Sequence, residues 1–371
     1  MLRTEAVVDL DAMRRNVELL RAATAAELLA VVKADGYGHG LLPSARAALA
    51  GGASWLGTAF VEEALALRAA GITARIVSWL AVPGEDLVPA VAADIDLSAN
   101  APWAVTELAA AARAAGKPVR LHLKVDTGLS RAGATAADWP ELLTAAAKAA
   151  AAGEVEIVGI WSHFAYADAP GHPTIGRQVT AYREALEMAA GLGVVPQVRH
   201  LANSAATLTL PDAHFDLVRP GIAVYGLTPV PPEPYGLTPA MTLRSHVALT
   251  KRVPAGSGVS YGHEYVTRIA TGLALVPLGY ADGVPRNGTN TAEVWLAGAR
   301  RRISGRVCMD QFVVDTGDDP VAAGDEVLLF GPGSRGEPTA QDWADALGTI
   351  SYEIVTRVGA RVPRTYTGGS G

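Results

Sequence analysis

The stretch Leu28-Leu29-Ala30-Val31-Val32-Lys33-Ala34-Asp35-Gly36-Tyr37-Gly38-His39-Gly40 runs from an apolar, partly β-branched segment into an exit punctuated by glycines. Such a segment reads as a buried strand, here over 28–33, that empties into a loop. A lysine at that seam loses hydration. Desolvation favours the neutral amine, the form that condenses with a carbonyl to make a Schiff base. Taken by itself, the pattern favours a surface lysine just past a strand.

The same texture recurs downstream. Apolar runs over 55–58, 75–80, 94–97, 119–125, 156–164, 198–202 and 215–219 alternate with alanine-rich segments of helical period. Several of those segments reach a glycine that tolerates the left-handed turn ending a helix: Gly71, Gly116, Gly153 and Gly191. Strands alternating with helices imply parallel pairing. About eight such units in roughly 200 residues predict a (β/α)₈ barrel, an α/β fold, with a doubly wound open sheet as the alternative. After Gly226 the texture changes. Pro229, Pro231, Pro232 and Pro234 mark a linker, and runs over 241–252, 272–279, 293–297, 302–315 and 326–330 read as strands. One helix is expected over 339–347, capped by Thr339. The expected division is therefore a barrel over 1–236 and a mainly β domain over 237–371.

Composition narrows the function. Half of the 371 residues are hydrophobic and 18% are charged, which describes a globular chain with a large core. A net charge of −6 argues against nucleic acid or an anionic membrane as the main partner. The single cysteine, Cys308, excludes an internal disulfide and a multi-cysteine metal site, and no metal is expected. No apolar run reaches the ~20 residues of a spanning helix, and no signal peptide is visible behind Met1. These readings suit a cytoplasmic protein.

Reactive side chains gather at the predicted strand ends. Lys33 ends the first, Lys124 the fifth with Arg131 just beyond, and His163 the sixth. His200, Asn203 and Ser204 follow the seventh; Arg219, Gly221 and Ile222 follow the eighth. In a barrel these ends share one rim, where such enzymes keep their active sites. Clustered cations repel, and an anionic ligand relieves the repulsion. The loops after the last two strands, with Ser204 and Gly221, suit a phosphate, and Tyr37 adds a phenol donor. A buried lysine facing a phosphate site suggests pyridoxal phosphate. Arg219 is the candidate for its ring nitrogen. A cation there disfavours protonation of that nitrogen, leaving proton removal and return at the α-carbon as the chemistry.

The chain resembles the alanine racemases. The match is carried by the stretch over 30–40, by Leu123-Lys124-Val125-Asp126-Thr127-Gly128 with Arg131, and by His163-Phe164-Ala165. It continues in Ala202-Asn203-Ser204-Ala205, Val218-Arg219-Pro220-Gly221-Ile222, Val259-Ser260-Tyr261-Gly262 and Gly279-Tyr280-Ala281-Asp282-Gly283. Cys308-Met309-Asp310-Gln311 and Ser351-Tyr352-Glu353 complete it. The resemblance implies a pyridoxal phosphate enzyme that interconverts L-alanine and D-alanine for peptidoglycan. Lys33 would hold the cofactor and take the α-proton of D-alanine, and Tyr261 would act on L-alanine. Inversion needs a proton acceptor on each side of the α-carbon. Nearby cations, with His163 and Arg219 as candidates, would lower the Tyr261 phenol from about 10.

The resemblance also implies that His163 and Arg219 join the catalytic group and contact the cofactor. Arg131 would meet the ring hydroxyl and the substrate carboxylate. Tyr37, Asn203, Ser204, Gly221, Ile222 and Tyr352 would serve the phosphate. Met309 would help hold the substrate and Tyr280 would form part of the gate. Lys124 would be carbamylated and orient Arg131, while His200, Asp310 and Arg286 would stand behind the contacting residues. A homodimer is implied in which the β domain of one subunit completes the barrel site of the other. Asp35-Gly36 stands where the family often has Asn-Ala, and Asp35 is expected to add negative charge near Lys33. Val77-Ser78-Trp79-Leu80 also departs from the commonest form. A noncatalytic pyridoxal phosphate carrier and a racemase of broader specificity are the alternative readings.

Overall fold

The computed structural model describes residues 2–369. Strand β1 (Thr4–Asp9) leads into the helix Leu10–Ala22, whose first turn is capped by Asp9 through the Ala12 N–H at 2.9 Å. Eight parallel strands follow: β2 (Glu27–Val31), β3 (Trp55–Thr58), β4 (Arg75–Ser78), β5 (Asp96–Ala99), β6 (Val119–Lys124), β7 (Val155–Trp161), β8 (Val198–His200) and β9 (Leu217–Val218). Their order in space is β8-β7-β6-β5-β4-β3-β2-β9. The Asp216 N–H reaches the Arg199 carbonyl (3.1 Å) and the Arg219 N–H reaches that of Ala202 (2.8 Å), which lays β9 against β8 and closes the ring. The architecture is the barrel, not the open sheet. Its staves are short and buried on both faces, as in β3, where every residue is buried.

Lys124 ends β6 as expected and His200 ends β8, while three other strands stop before the reactive residue. β2 ends at Val31, β7 at Trp161 and β9 at Val218, so Lys33, His163 and Arg219 sit in the loops just past the pairing. The expected stop at Gly191 also shifts. Gly191 is the last residue of the helix Pro173–Gly191, and the left-handed turn falls on Gly193 (φ +74°).

The second domain holds β10 (Met241–His246), β11 (Leu249–Val253), β12 (Gly258–Val259), β13 (Tyr265–Val266), β14 (Thr271–Val276), β15 (Glu293–Leu296), β16 (Ala299–Arg302), β17 (Phe312–Gly317), β18 (Glu326–Phe330) and β19 (Arg364–Thr367). The single strand expected over 241–252 is two. β10 pairs with β18, while β11 pairs with β14 in another sheet, so the chain changes sheets at Val247-Ala248. The run over 302–315 divides likewise, and the loop between β16 and β17 carries Met309. The helix Ala340–Leu347 is capped as expected: Thr339 Oγ accepts from the Asp342 N–H at 3.0 Å, and Asp342 accepts from the Thr339 N–H at 2.8 Å.

β1 lies in the sheet β16-β15-β18-β10-β1-β19, antiparallel to β10 and parallel to β19. Residues 4–9 therefore pair in the sheet of the second domain and not with the barrel strands. Their alternation of buried and half-buried side chains is that of a sheet covered on one face, unlike a barrel stave. The proline-rich linker is pinned as well. The Asn16 amide donates to the Thr238 carbonyl and accepts from its N–H, both at 2.9 Å. Among the described residues no helix is long and apolar enough to cross a membrane.

Candidate active site

After Lys33 the backbone makes one left-handed turn, with φ of +53° at Ala34, +54° at Asp35, +60° at Gly36 and +52° at Tyr37. L-residues resist this by about 1–2 kcal/mol each, so the surroundings must hold it. Buried His39 does so from inside: Nδ1 donates to the carbonyls of Gly36 (3.0 Å) and Tyr37 (2.9 Å). Burial drives that imidazole down to about 4, so it stays neutral. Glu63 accepts from the Ala34 N–H at 2.6 Å, and Arg364 of β19 donates to the Gly38 carbonyl at 3.0 Å. At Gly38 (φ +82°) an added Cβ would fall 2.4 Å from the Val355 carbonyl oxygen. Asp35 is exposed and accepts from the Leu41 N–H at 2.8 Å. The carboxylate that acts on Lys33 is Glu63, not Asp35.

The barrel mouth gathers charge of one sign. Burial first, then the Arg131 guanidinium, lowers the Lys33 amine, and Glu63 opposes them. Lys124 lies buried over the Trp161 ring, 4.1 Å from its centroid, and is lowered to about 8 by burial, Arg219 and Arg131. Arg219 is buried and donates to the Ser162 carbonyl (2.8 Å) and to His200 Nδ1 (3.2 Å). Burial brings it to about 10, which leaves it a cation at neutral pH. His163 lies 3.4 Å from Arg219, and burial plus Arg219, Arg131, Lys124 and Lys33 push its imidazole well below the usual histidine range. His163 is therefore neutral. Of the two cations expected to act on Tyr261, only Arg219 carries charge.

A cradle of neutral donors closes the other side of the mouth. Buried Ser204 Oγ accepts from the N–H groups of Gly221 (2.7 Å) and Ala223 (3.3 Å). Asn203 caps the turn Ser204–Thr209 through the Ala206 N–H at 3.1 Å, and Ile222 opens the turn Ile222–Tyr225. The Tyr37 hydroxyl lies over Gly221, where an added Cβ would come within 2.3 Å of it. Only glycine permits that approach. The Tyr37 ring stacks on Tyr225 at 4.8 Å and stands 6.2 Å from Tyr352. Burial raises both the Tyr37 and Tyr352 phenols, so they remain hydroxyl donors. Hydroxyls and backbone N–H groups suit a phosphate, and a lowered amine suits a carbonyl. This donor set fits pyridoxal phosphate.

Tyr261, Met309 and Tyr280 are elsewhere. They are 72%, 52% and 41% exposed on the second domain, and their side chains make no hydrogen bond among the described residues. Hydrogen bonds to backbone carbonyls draw them into one patch. Ser260 Oγ donates to the Arg306 carbonyl (2.8 Å), the Tyr280 N–H to that of Cys308 (3.0 Å) and the Ala281 N–H to that of Met309 (2.9 Å). Asp310 pairs with Arg361 (2.8 Å), which also reaches the buried carboxylate of Asp282 (3.2 Å). Arg286 is exposed, and no side-chain hydrogen bond ties it to this patch.

Sequence reading passed over Glu63, Trp161, His122 and Asp96. His122 was within reach, because it stands two residues before Lys124 on β6 and so shares its inward face. Glu63 and Trp161 carry no local signal that sets them apart.

Residues 8–229 match the family model "Alanine racemase, N-terminal domain", and residues 240–366 match "Alanine racemase, C-terminal domain". An alanine racemase of Frankia casuarinae is 67% identical over 370 residues, covering 98% of this chain and 96% of the relative. The solved alanine racemase of Streptomyces lavendulae superposes with a TM-score of 0.98 at 58% identity, covering 100% of this chain and 98% of that one. That of Bacillus anthracis, with bound L-Ala-P, gives 0.92 at 36% identity over 100% of this chain and 96% of that one. With family models matching both parts of the chain and full-length relatives up to 67% identical, the chain belongs to the alanine racemase family, isomerases that depend on pyridoxal phosphate.

Proposed function

We propose that alanine racemisation, the activity of this family, runs here between two bases, Lys33 and Tyr261, the second supplied by a partner subunit. Pyridoxal phosphate, when bound, supplies a carbonyl for an amine and a conjugated ring that withdraws electrons from the α-carbon. Lys33 would hold it, Ser204, Gly221, Ile222, Tyr37, Tyr352 and Asn203 would serve its phosphate, and Arg219 and His163 would contact its ring. Arg131 would steady the substrate carboxylate. The Lys33 amine, lowered by burial and Arg131, exists as a free base more readily than an exposed lysine and takes the α-proton of D-alanine. Tyr261 takes that of L-alanine from the opposite side, with Met309 and Tyr280 carried beside it. Buried Arg219 presents a fixed cation where a carboxylate would favour a protonated ring.

The observation that carries the reading is a division of labour. The mouth of the barrel collects the amine and the phosphate donors, while Tyr261, Met309 and Tyr280 stand uncovered as one patch on the other domain. A homodimer with composite sites satisfies both halves. Production of D-alanine for peptidoglycan in the cytoplasm is part of this reading.

Tyr261→Phe tests it. The variant should keep its cofactor absorbance and a borohydride-trapped adduct at Lys33, yet lose about 10²–10⁴-fold in turnover from L-alanine. Wild-type turnover would remove the second base and favour a cofactor carrier or another proton path. D-product formation from a panel of L-amino acids reads selectivity for alanine over serine.

A further inference from the structure

Behind Arg219 a line of buried polar side chains crosses the barrel interior. Arg219 Nη1 lies 3.2 Å from His200 Nδ1, His200 Nε2 lies 2.9 Å from His122 Nδ1, and His122 Nε2 lies 3.3 Å from Asp96 Oδ2. Asp96, His122 and His200 are all buried, on β5, β6 and β8. Arg75 donates to Asp96 Oδ2 at 2.7 Å and Arg120 donates to Oδ1. His200 is stacked parallel to Trp161, with centroids 5.7 Å apart, and Trp55 meets the edge of His122.

Only one assignment of protons satisfies this line. A guanidinium has donors and no acceptor, so His200 Nδ1 must accept. The His200 proton then sits on Nε2 and is given to His122 Nδ1. The His122 proton sits on Nε2 and is given to Asp96. Both rings are neutral, in keeping with the burial that lowers both imidazoles. Asp96 is the acceptor that ends the line, and the two arginines keep it a carboxylate. The opposite order would set a His200 N–H against an Arg219 N–H, donor to donor.

We propose that Asp96 and His122 are positioning residues for Arg219: acting through His200, they fix which imidazole nitrogen faces the guanidinium and so hold that cation at the mouth of the barrel. The proposal rests on the reading of Arg219 as the partner of the cofactor ring nitrogen. It assigns a function in the reaction to two side chains that touch neither cofactor nor substrate. Asparagine at position 96 sets its NH₂ against Arg75 and His122 in one amide orientation and against Arg120 in the other, and the first of these reverses both tautomers.

The test is Asp96→Asn in holoenzyme labelled with ¹⁵N-histidine. In the wild type, His200 should show an unprotonated Nδ1 and a protonated Nε2. In the variant the assignments should invert or mix, with kcat down about tenfold and KM for alanine within about twofold. His122→Leu leaves the Asp96–arginine pairs in place and serves if Asp96→Asn fails to fold. It should strip the His200 Nε2–H of its acceptor, shift the ¹⁵N signals of that ring and lower kcat similarly, and the double variant should be no worse than either single one. Unchanged His200 signals in both variants overturn the proposal, as do altered signals with wild-type kcat or fully additive losses. Arg219→Lys with an unchanged cofactor spectrum would instead overturn the reading of Arg219, leaving the tautomer result to stand by itself.

Discussion

Lys124 is a buried amine among like charges, and its cost depends on pH. Its folded value of about 8 lies below the ordinary 10.5, so between these the unfolded chain binds more protons and stability rises with pH. Below pH 8 both states are protonated and the full cost is present, about 3 kcal/mol. Lys124→Met in CO₂-free buffer should therefore raise stability by about 2–3 kcal/mol at pH 7 in urea denaturation, with the advantage closing toward pH 10.5. A carbamate on Lys124 would replace the cation by an anion facing Arg131 and Arg219. Added bicarbonate should then stabilise the wild type and leave Lys124→Met unmoved; equal responses would argue against the carbamate. The position of Lys124 at a strand end was legible in the sequence. Its place over the Trp161 ring was not, because that contact joins neighbouring strands β6 and β7.

At the scale of the element, the turn from Lys33 to Gly38 is the strained part of the fold. Its left-handed residues are held by His39, Glu63 and Arg364, from three separate places in the chain. Gly38→Ala would put a Cβ against the Val355 carbonyl at positive φ and should cost about 2–4 kcal/mol in urea denaturation. It should also weaken cofactor retention by moving Lys33 and Tyr37 together. A variant as stable as the parent would show that the turn relaxes freely. Glycines at 36, 38 and 40 advertised a loop, yet not its handedness. Handedness came from His39 beside the turn together with Glu63 and Arg364, which lie far along the chain.

At the scale of the molecule, two properties should be measurable. If Tyr261 acts in a partner's site, dilution below the dimer constant should abolish turnover while Lys33 still holds the cofactor. Activity proportional to concentration in a proven monomer would contradict that. Acid sensitivity is the second. His39, His122, His163 and His200 are all lowered in the fold, so from pH 6.5 downward the unfolded chain takes up protons first and stability falls. His39 alone, brought from 6.5 to about 4, contributes about 3 kcal/mol at neutral pH that is lost across that interval. The urea midpoint should drop between pH 6.5 and 5, above the range where carboxylates titrate. A flat midpoint there would mean the rings can be protonated without opening the core.

By itself the sequence determined the alternation of strands and helices, the mainly β region after it and the residue types at the strand ends, because these are local properties of the chain; it did not decide between a closed ring and an open sheet. It did not determine that β1 crosses to the second sheet, since the pairing partners of Thr4–Asp9 lie more than 230 residues away. Nor did it determine that His163 is neutral, that Glu63 rather than Asp35 faces Lys33, or that Arg219 is backed by His200, His122 and Asp96. Those are questions of which charges and lone pairs meet across a closed ring, and only tertiary packing brings them within reach of one another.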